Sequence, residues 1–109
     1  MVLRWRLGLV VLCLLLSESA LSAKIEELRL WRAPDHTRLV FDLSEPADHT
    51  LLELKNPDRL VIDIKKAEWG STPDLELDGT PIKGVRTAVR NDRDIRVVLD
   101  LKSQVKPRS

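Results

Sequence analysis

Arg38-Leu39-Val40-Phe41-Asp42-Leu43 is written nearly unchanged twice more, as Arg59-Leu60-Val61-Ile62-Asp63-Ile64 and as Arg96-Val97-Val98-Leu99-Asp100-Leu101. Each phrase is a basic residue, an alternating apolar run and an acidic residue. In a strand, successive side chains point to opposite faces, so Leu39, Phe41 and Leu43 share one face and Arg38, Val40 and Asp42 the other. Arg and Asp of one phrase stand about 13 Å apart along a strand, too far to pair with each other. Antiparallel neighbours bring the start of one strand beside the end of the next. Arg38 and Arg59 are therefore expected to meet carboxylates across the ladder, each contact worth some tenths of a kcal/mol. The repeated phrase reads first as a pairing code for strands, with a ligand role for one copy as the other reading.

Working outward, each copy belongs to a hairpin. Ile25 to Trp31 ends at Ala33-Pro34-Asp35-His36, a turn that returns the chain into Arg38 to Leu43. Thr50 to Leu54 is followed by the strong turn Asn56-Pro57-Asp58-Arg59, which opens the second copy. Val85 to Arg90 and Ile95 to Leu101 flank Asn91-Asp92-Arg93 and make the third hairpin. Between the second and third hairpins, Trp69 to Gly84 carries Gly70, Gly79, Gly84, Pro73 and Pro81, and reads as a crossing loop with one helical turn or short strand around Leu75 to Leu77. The expected fold class is all-β.

Ahead of the first strand, Arg4 and Arg6 precede an apolar run from Leu7 to Leu16 that gives way to Ser17, Glu18 and small residues. This is the pattern of a secretory signal peptide, and about ten apolar residues fall well short of a membrane span. Cleavage after Ala23 is favoured over cleavage after Ser22, and no stable membrane insertion is expected afterwards. Cys13 follows Leu12 where lipidation needs a small residue, so a lipid anchor is not expected. The mature chain, residues 24–102 with 103–109 as the start of a linker, then has no cysteine and must be held by burial alone. About 86 residues hide only about 60–65% of the surface that the unfolded chain exposes, which limits the chain to one compact domain.

Removing Arg4, Arg6 and Glu18 from 18 basic and 17 acidic residues leaves 16 of each. That balance argues against nucleic acid or an anionic membrane as partner. Catalytic chemistry is also poorly provided for. Ser44, Ser71, Ser103 and Ser109 lack a motif that sets a base beside them, and His36 and His49 sit beside turns without a ligand spacing around them. No catalytic residue, metal or cofactor is assigned to the chain.

The stretch Leu28 to Ala67, "LRLWRAPDHTRLVFDLSEPADHTLLELKNPDRLVIDIKKA", resembles the AMIN domain, the module at the amino terminus of periplasmic N-acetylmuramoyl-L-alanine amidases, and Ile82 to Pro107 resembles its second half. The resemblance implies a sandwich of two small antiparallel sheets with an internal repeat. It also implies a periplasmic location, attachment to peptidoglycan, and division-site proteins as further partners. In those amidases a zinc-dependent catalytic domain follows the module, and zinc is expected only there. The chain by itself is expected to be noncatalytic, acting in wall turnover and daughter-cell separation. The resemblance extends to a second class of protein, adaptors of outer-membrane secretin and pilus assemblies, for which the partner would be a protein.

Peptidoglycan offers pyranose faces and peptide carboxylates, which aromatic rings and guanidinium forks suit. With Leu28 and Leu30 inward, Arg29 and Trp31 share the outer face of the first strand. Arg32 adjoins them, and Arg38 stands across the hairpin. Arg29, Trp31, Arg32 and Arg38 are therefore the candidate binding residues, the competing reading of Trp31 being a cover for an open sheet edge. Trp69 is expected to cap the core at the mouth of the loop. Arg86 and Arg90 belong either to the strip or to solvated surface.

Overall fold

The structure is a computed structural model in which residues 22–109 are described. Residues 1–21 of the expected leader, 1–23, lie outside the described residues. Seven strands follow: β1 (Ala23–Arg32), β2 (Thr37–Leu43), β3 (His49–Leu54), β4 (Arg59–Ile64), β5 (Ala67–Trp69), β6 (Ile82–Arg90) and β7 (Asp94–Leu101). They form a three-stranded sheet in the order β2-β1-β5 and a four-stranded sheet in the order β3-β4-β7-β6. The fold is all-β, a small sandwich. Among the described residues no helix is long and apolar enough to cross a membrane.

All three expected hairpins form, as β1/β2, β3/β4 and β6/β7, each antiparallel. The turns of the second and third use residues that tolerate left-handed backbone: Asn56 has φ 59°, and Asn91 and Asp92 have φ 55° and 57°. The second and third copies of the repeated phrase lie side by side as β4 and β7, with Arg59 opposite Asp100, Ile62 opposite Val97 and Asp63 opposite Arg96. The first copy lies on the other sheet against β1. Two copies therefore answer each other, while the third is paired to a strand of different wording.

Alternation sorts the side chains as the phrase requires. Ile95, Val97, Leu99 and Leu101 of β7 and Leu60 and Ile64 of β4 are buried, and Ile25, Ile95 and Val97 are almost fully so. Leu30, Leu39, Phe41 and Leu43 of the three-stranded sheet pack onto this cluster. Full burial of one such side chain is worth about 1.5–3 kcal/mol, and these residues carry the stability of a chain whose described part has no disulfide.

The segment after the second hairpin differs from expectation. Leu75 to Leu77 is irregular, and the short strand lies earlier, at Ala67–Trp69, parallel to β1 with Ala67 opposite Ala23 and Trp69 opposite Ile25. A three-residue strand has too few positions to show alternation, so its place is set by the partner strand rather than by its own pattern. Trp69 packs against the core cluster, consistent with a capping role. Gly70 follows because the backbone passes close to β1: its N–H donates to the Ile25 carbonyl at 2.9 Å, and a Cβ there would lie 3.2 Å from the same oxygen. At the far end, Lys102 N–H donates to the Pro81 carbonyl at 2.8 Å and Val105 packs against the core.

Candidate functional site

The outer face of the β1/β2 hairpin carries Glu27, Arg29 and Trp31 on one strand and Arg38, Val40 and Asp42 on the other. A one-residue bulge between Ile25 and Glu27 restores the alternation that keeps Leu28 and Leu30 inward. Trp31 stands directly opposite Arg38 in register and is 58% exposed. Side chains at such opposed positions have Cβ atoms about 4.5–5.5 Å apart, so the indole and the guanidinium form one continuous patch. Arg38 takes part in no ion pair among the described residues. The sequence-based expectation placed a carboxylate across from Arg38. Register places Trp31 there instead, because the acids of the partner strand β1, Glu26 and Glu27, lie at its other end.

Arg29 is held by that acid. Its Nη2 donates to Asp42 Oδ1 at 3.0 Å and its Nε lies 2.7 Å from Oδ2, without the alignment for a second hydrogen bond. The pair is diagonal across the hairpin, and it pushes the Arg29 guanidinium above its ordinary value, chiefly through the hydrogen bond. Arg29 therefore keeps a fixed position beside Trp31, with part of its charge already answered.

Arg32 behaves differently. It falls on the same alternation as Leu28 and Leu30, and its guanidinium donates to the carbonyl oxygens of Glu76 and Asp78 in the crossing loop. Gly79, at φ 77°, lies against its side chain, a Cβ there being 3.7 Å from Arg32 Cδ. Of the four candidate residues, Arg29, Trp31 and Arg38 share one patch, and Arg32 fastens the loop behind its end. Arg86 and Arg90 lie on β6 of the other sheet and do not extend the patch.

The remaining charged pairs are structural. Arg96 donates to both oxygens of Asp63 at 2.8 Å, and Arg86 donates to both oxygens of Asp100 at 2.8 Å. Those hydrogen bonds hold both carboxyls below the usual carboxylate range against the opposing effect of burial. Arg59 stands opposite Asp100 as expected, but its guanidinium donates to the Pro57 carbonyl at 2.7 Å. All three Asp residues of the repeated phrase thus pair with Arg on a neighbouring strand, and only Arg96 among the three Arg residues is used that way. The first copy is the one whose Arg is left to solvent.

Sequence reasoning missed a cleft of about 280 Å³ where Glu45, Asp48, Lys65 and Lys66 converge beside Ala23. Its residues come from three separate stretches, so no spacing could have revealed it. Asp94, buried at the turn nearby, accepts the Lys66 N–H at 3.0 Å and lies 3.6 Å from Lys65 Nζ, and this backbone hydrogen bond lowers its pKa. His36 Nδ1 lies 2.8 Å from Asp35 at the exposed first turn. Among the described residues no three of His, Cys, Asp and Glu converge as metal ligands would.

A small all-β sandwich of two sheets is what the resemblance implied. The family model described as AMIN domain matches residues 27–109. The chain belongs to the AMIN domain family. N-acetylmuramoyl-L-alanine amidase AmiC of Escherichia coli O6:H1 (strain CFT073) is 28% identical over 90 residues, which cover 78% of this chain and 22% of that protein. The chain thus spans under a quarter of the length of that curated relative. Trp31, Arg38 and all three copies of the repeated phrase fall within the AMIN match.

Proposed function

We propose that this AMIN domain is a noncatalytic peptidoglycan-binding module, exported to the periplasm, that brings N-acetylmuramoyl-L-alanine amidase activity to the wall at the division site. There the activity serves peptidoglycan turnover and daughter-cell separation. The observation that carries the reading is the Trp31–Arg38 pair. An indole 58% exposed stands opposite a guanidinium with no ion pair among the described residues, and Arg29 is fixed on the same face. An exposed indole offers a flat apolar surface to a sugar ring, and a solvated guanidinium offers a two-point donor to a peptide carboxylate. Arg29 contributes positive potential without having to be ordered on binding, because Asp42 already orders it. The relative named as an amidase supports an amidase-associated role.

The test is co-sedimentation of the purified protein with peptidoglycan sacculi. Retention is expected for the unaltered chain and is expected to fall at least about tenfold for Trp31→Ala and for Arg38→Ala, about 1.4 kcal/mol of binding each. Both side chains project outward from the sandwich, so the thermal midpoint should be unchanged within about 2 °C. Failure of the folded, unaltered protein to sediment with sacculi would refute the assignment of the wall as ligand. Retention unaffected by either substitution would refute the assignment of the patch.

A further inference from the structure

We infer that the outer edge of β6, which pairs with no other strand among the described residues, is a docking site for an extended, acidic polypeptide segment that joins the four-stranded sheet as a fifth strand. β6 is the edge of that sheet next to β7, and its register with β7 runs without interruption from Gly84 to Arg90. A regular edge of this length presents a row of unpaired backbone donors and acceptors, which is the template that strand addition uses. Arg86, Thr87, Ala88, Val89 and Arg90 are all exposed, on both faces of the strand. Val89 has the same alternation as the buried-face residues and is nevertheless 63% exposed, because the three-stranded sheet does not reach over this end of β6.

Charge selects the occupant. The other three edge strands, β2, β3 and β5, each contain an acid: Asp42, Glu53 and Glu68. β6 contains Lys83, Arg86 and Arg90 and no acid. Asp100 answers Arg86 with two hydrogen bonds of 2.8 Å, which leaves Lys83 and Arg90 at the two ends of a neutral centre, Thr87-Ala88-Val89. Two copies of β6 laid edge to edge would bring these like charges together, which disfavours self-pairing and favours an acidic strand. Alternation adds a further requirement. Arg86, Ala88 and Arg90 share one face, and Val85, Thr87 and Val89 share the other, so the fitting segment alternates acidic side chains with small β-branched ones. Such a segment is a protein partner distinct from the wall polymer at Trp31 and Arg38.

The probe is a fluorescein-labelled nonapeptide alternating glutamate with threonine and valine, titrated against the purified protein by anisotropy and by backbone amide exchange. The expected result is saturable binding, slowed exchange at amides between Gly84 and Arg90, and at least about tenfold weaker binding to Lys83→Glu/Arg90→Glu. Two peptide controls leave the protein unaltered: lysine in place of glutamate, and N-methylation of either alternate set of amides. Loss of binding with the lysine peptide and with one N-methylated set is expected. Absence of saturable binding, or binding indifferent to both N-methylations, overturns the inference. So does a dimer in sedimentation that protects the same amides with no peptide present, since the edge would then belong to a second copy.

Discussion

Arg96 and Asp63 face each other across β7 and β4, joined by two guanidinium–carboxylate hydrogen bonds of 2.8 Å. The Arg of the third phrase thereby answers the Asp of the second. Losing either partner leaves the other, only partly exposed, without its counter-charge. Asp63→Asn and Arg96→Ala are each expected to lower the thermal midpoint by about 4–8 °C, and together by less than the sum of the two. Arg86→Ala, whose side chain is 63% exposed, should lower it less. Thermal unfolding of the three single variants and the Asp63/Arg96 double variant checks the ordering.

Acid should destabilise the domain through the same pairs. Asp63 and Asp100 are held low by hydrogen bonds from Arg96 and Arg86, and Asp94 by the Lys66 N–H. A carboxyl whose folded-state pKa lies below its unfolded value adds stability that is present in full above the unfolded value. That stability is lost as pH falls through the folded one. The denaturation midpoint should therefore be flat above the ordinary carboxylate value of 3.8 and drop progressively below it. Asp63→Asn should make the drop shallower, because one contributor is already absent. Urea unfolding from pH 7 down to pH 2.5 measures both slopes.

Core truncation should cost far more than any surface pair. Ile95 is 1% exposed and lies where β7 faces both Ile64 and Val89. Ile95→Ala removes apolar surface and leaves a cavity in a single small core, at a cost of about 2–5 kcal/mol. The same substitution at Val89, 63% exposed, should change stability by less than about 0.5 kcal/mol. Equilibrium urea unfolding distinguishes the two sites.

The crossing loop depends on Arg32. Its guanidinium donates to two loop carbonyls, so Arg32→Ala is expected to raise amide exchange between residues 70 and 81 while β4 and β7 keep their protection. Gly79→Ala acts on the same loop through the backbone, since φ of 77° is costly for a residue with a Cβ, and should destabilise by about 1 kcal/mol. Hydrogen exchange read residue by residue checks the first expectation and thermal unfolding the second.

The two tryptophans of the sandwich should differ to a soluble quencher. With Trp5 replaced by Phe, acrylamide should quench the 58% exposed Trp31 strongly and the core-packed Trp69 weakly. Trp31→Phe should remove most of the quenchable emission, and bound sacculi should shield it in the unaltered chain. Equal quenching of both residues would contradict the packing of Trp69 against the core.

Much of this fold was legible from the sequence, because strand alternation and turn chemistry are local properties. Leu39, Phe41 and Leu43 could be assigned to the core from spacing alone, and Asn56-Pro57-Asp58 and Asn91-Asp92-Arg93 marked two hairpins by the backbone angles those residues tolerate. Pairing between hairpins is not local. Nothing in residues 59–64 says that their acid will meet Arg96 rather than Arg86 of β6 or Arg29 of β1, and nothing in Ala67-Glu68-Trp69 says that it will run parallel to β1. Those choices follow from which apolar faces must be buried together, an energy shared by the whole sandwich.

The candidate site divides in the same way. The sequence determined that Arg29 and Trp31 share a face and that Arg38 belongs to the strand returning beside them, since period-two geometry allows nothing else. Tertiary structure decided which charges remain available: Asp42 is spent on Arg29, the loop carbonyls on Arg32, and Arg38 is left to solvent opposite the indole. The reason is that an ion pair depends on distance in space, and register and bulges set that distance between residues that the chain itself keeps apart.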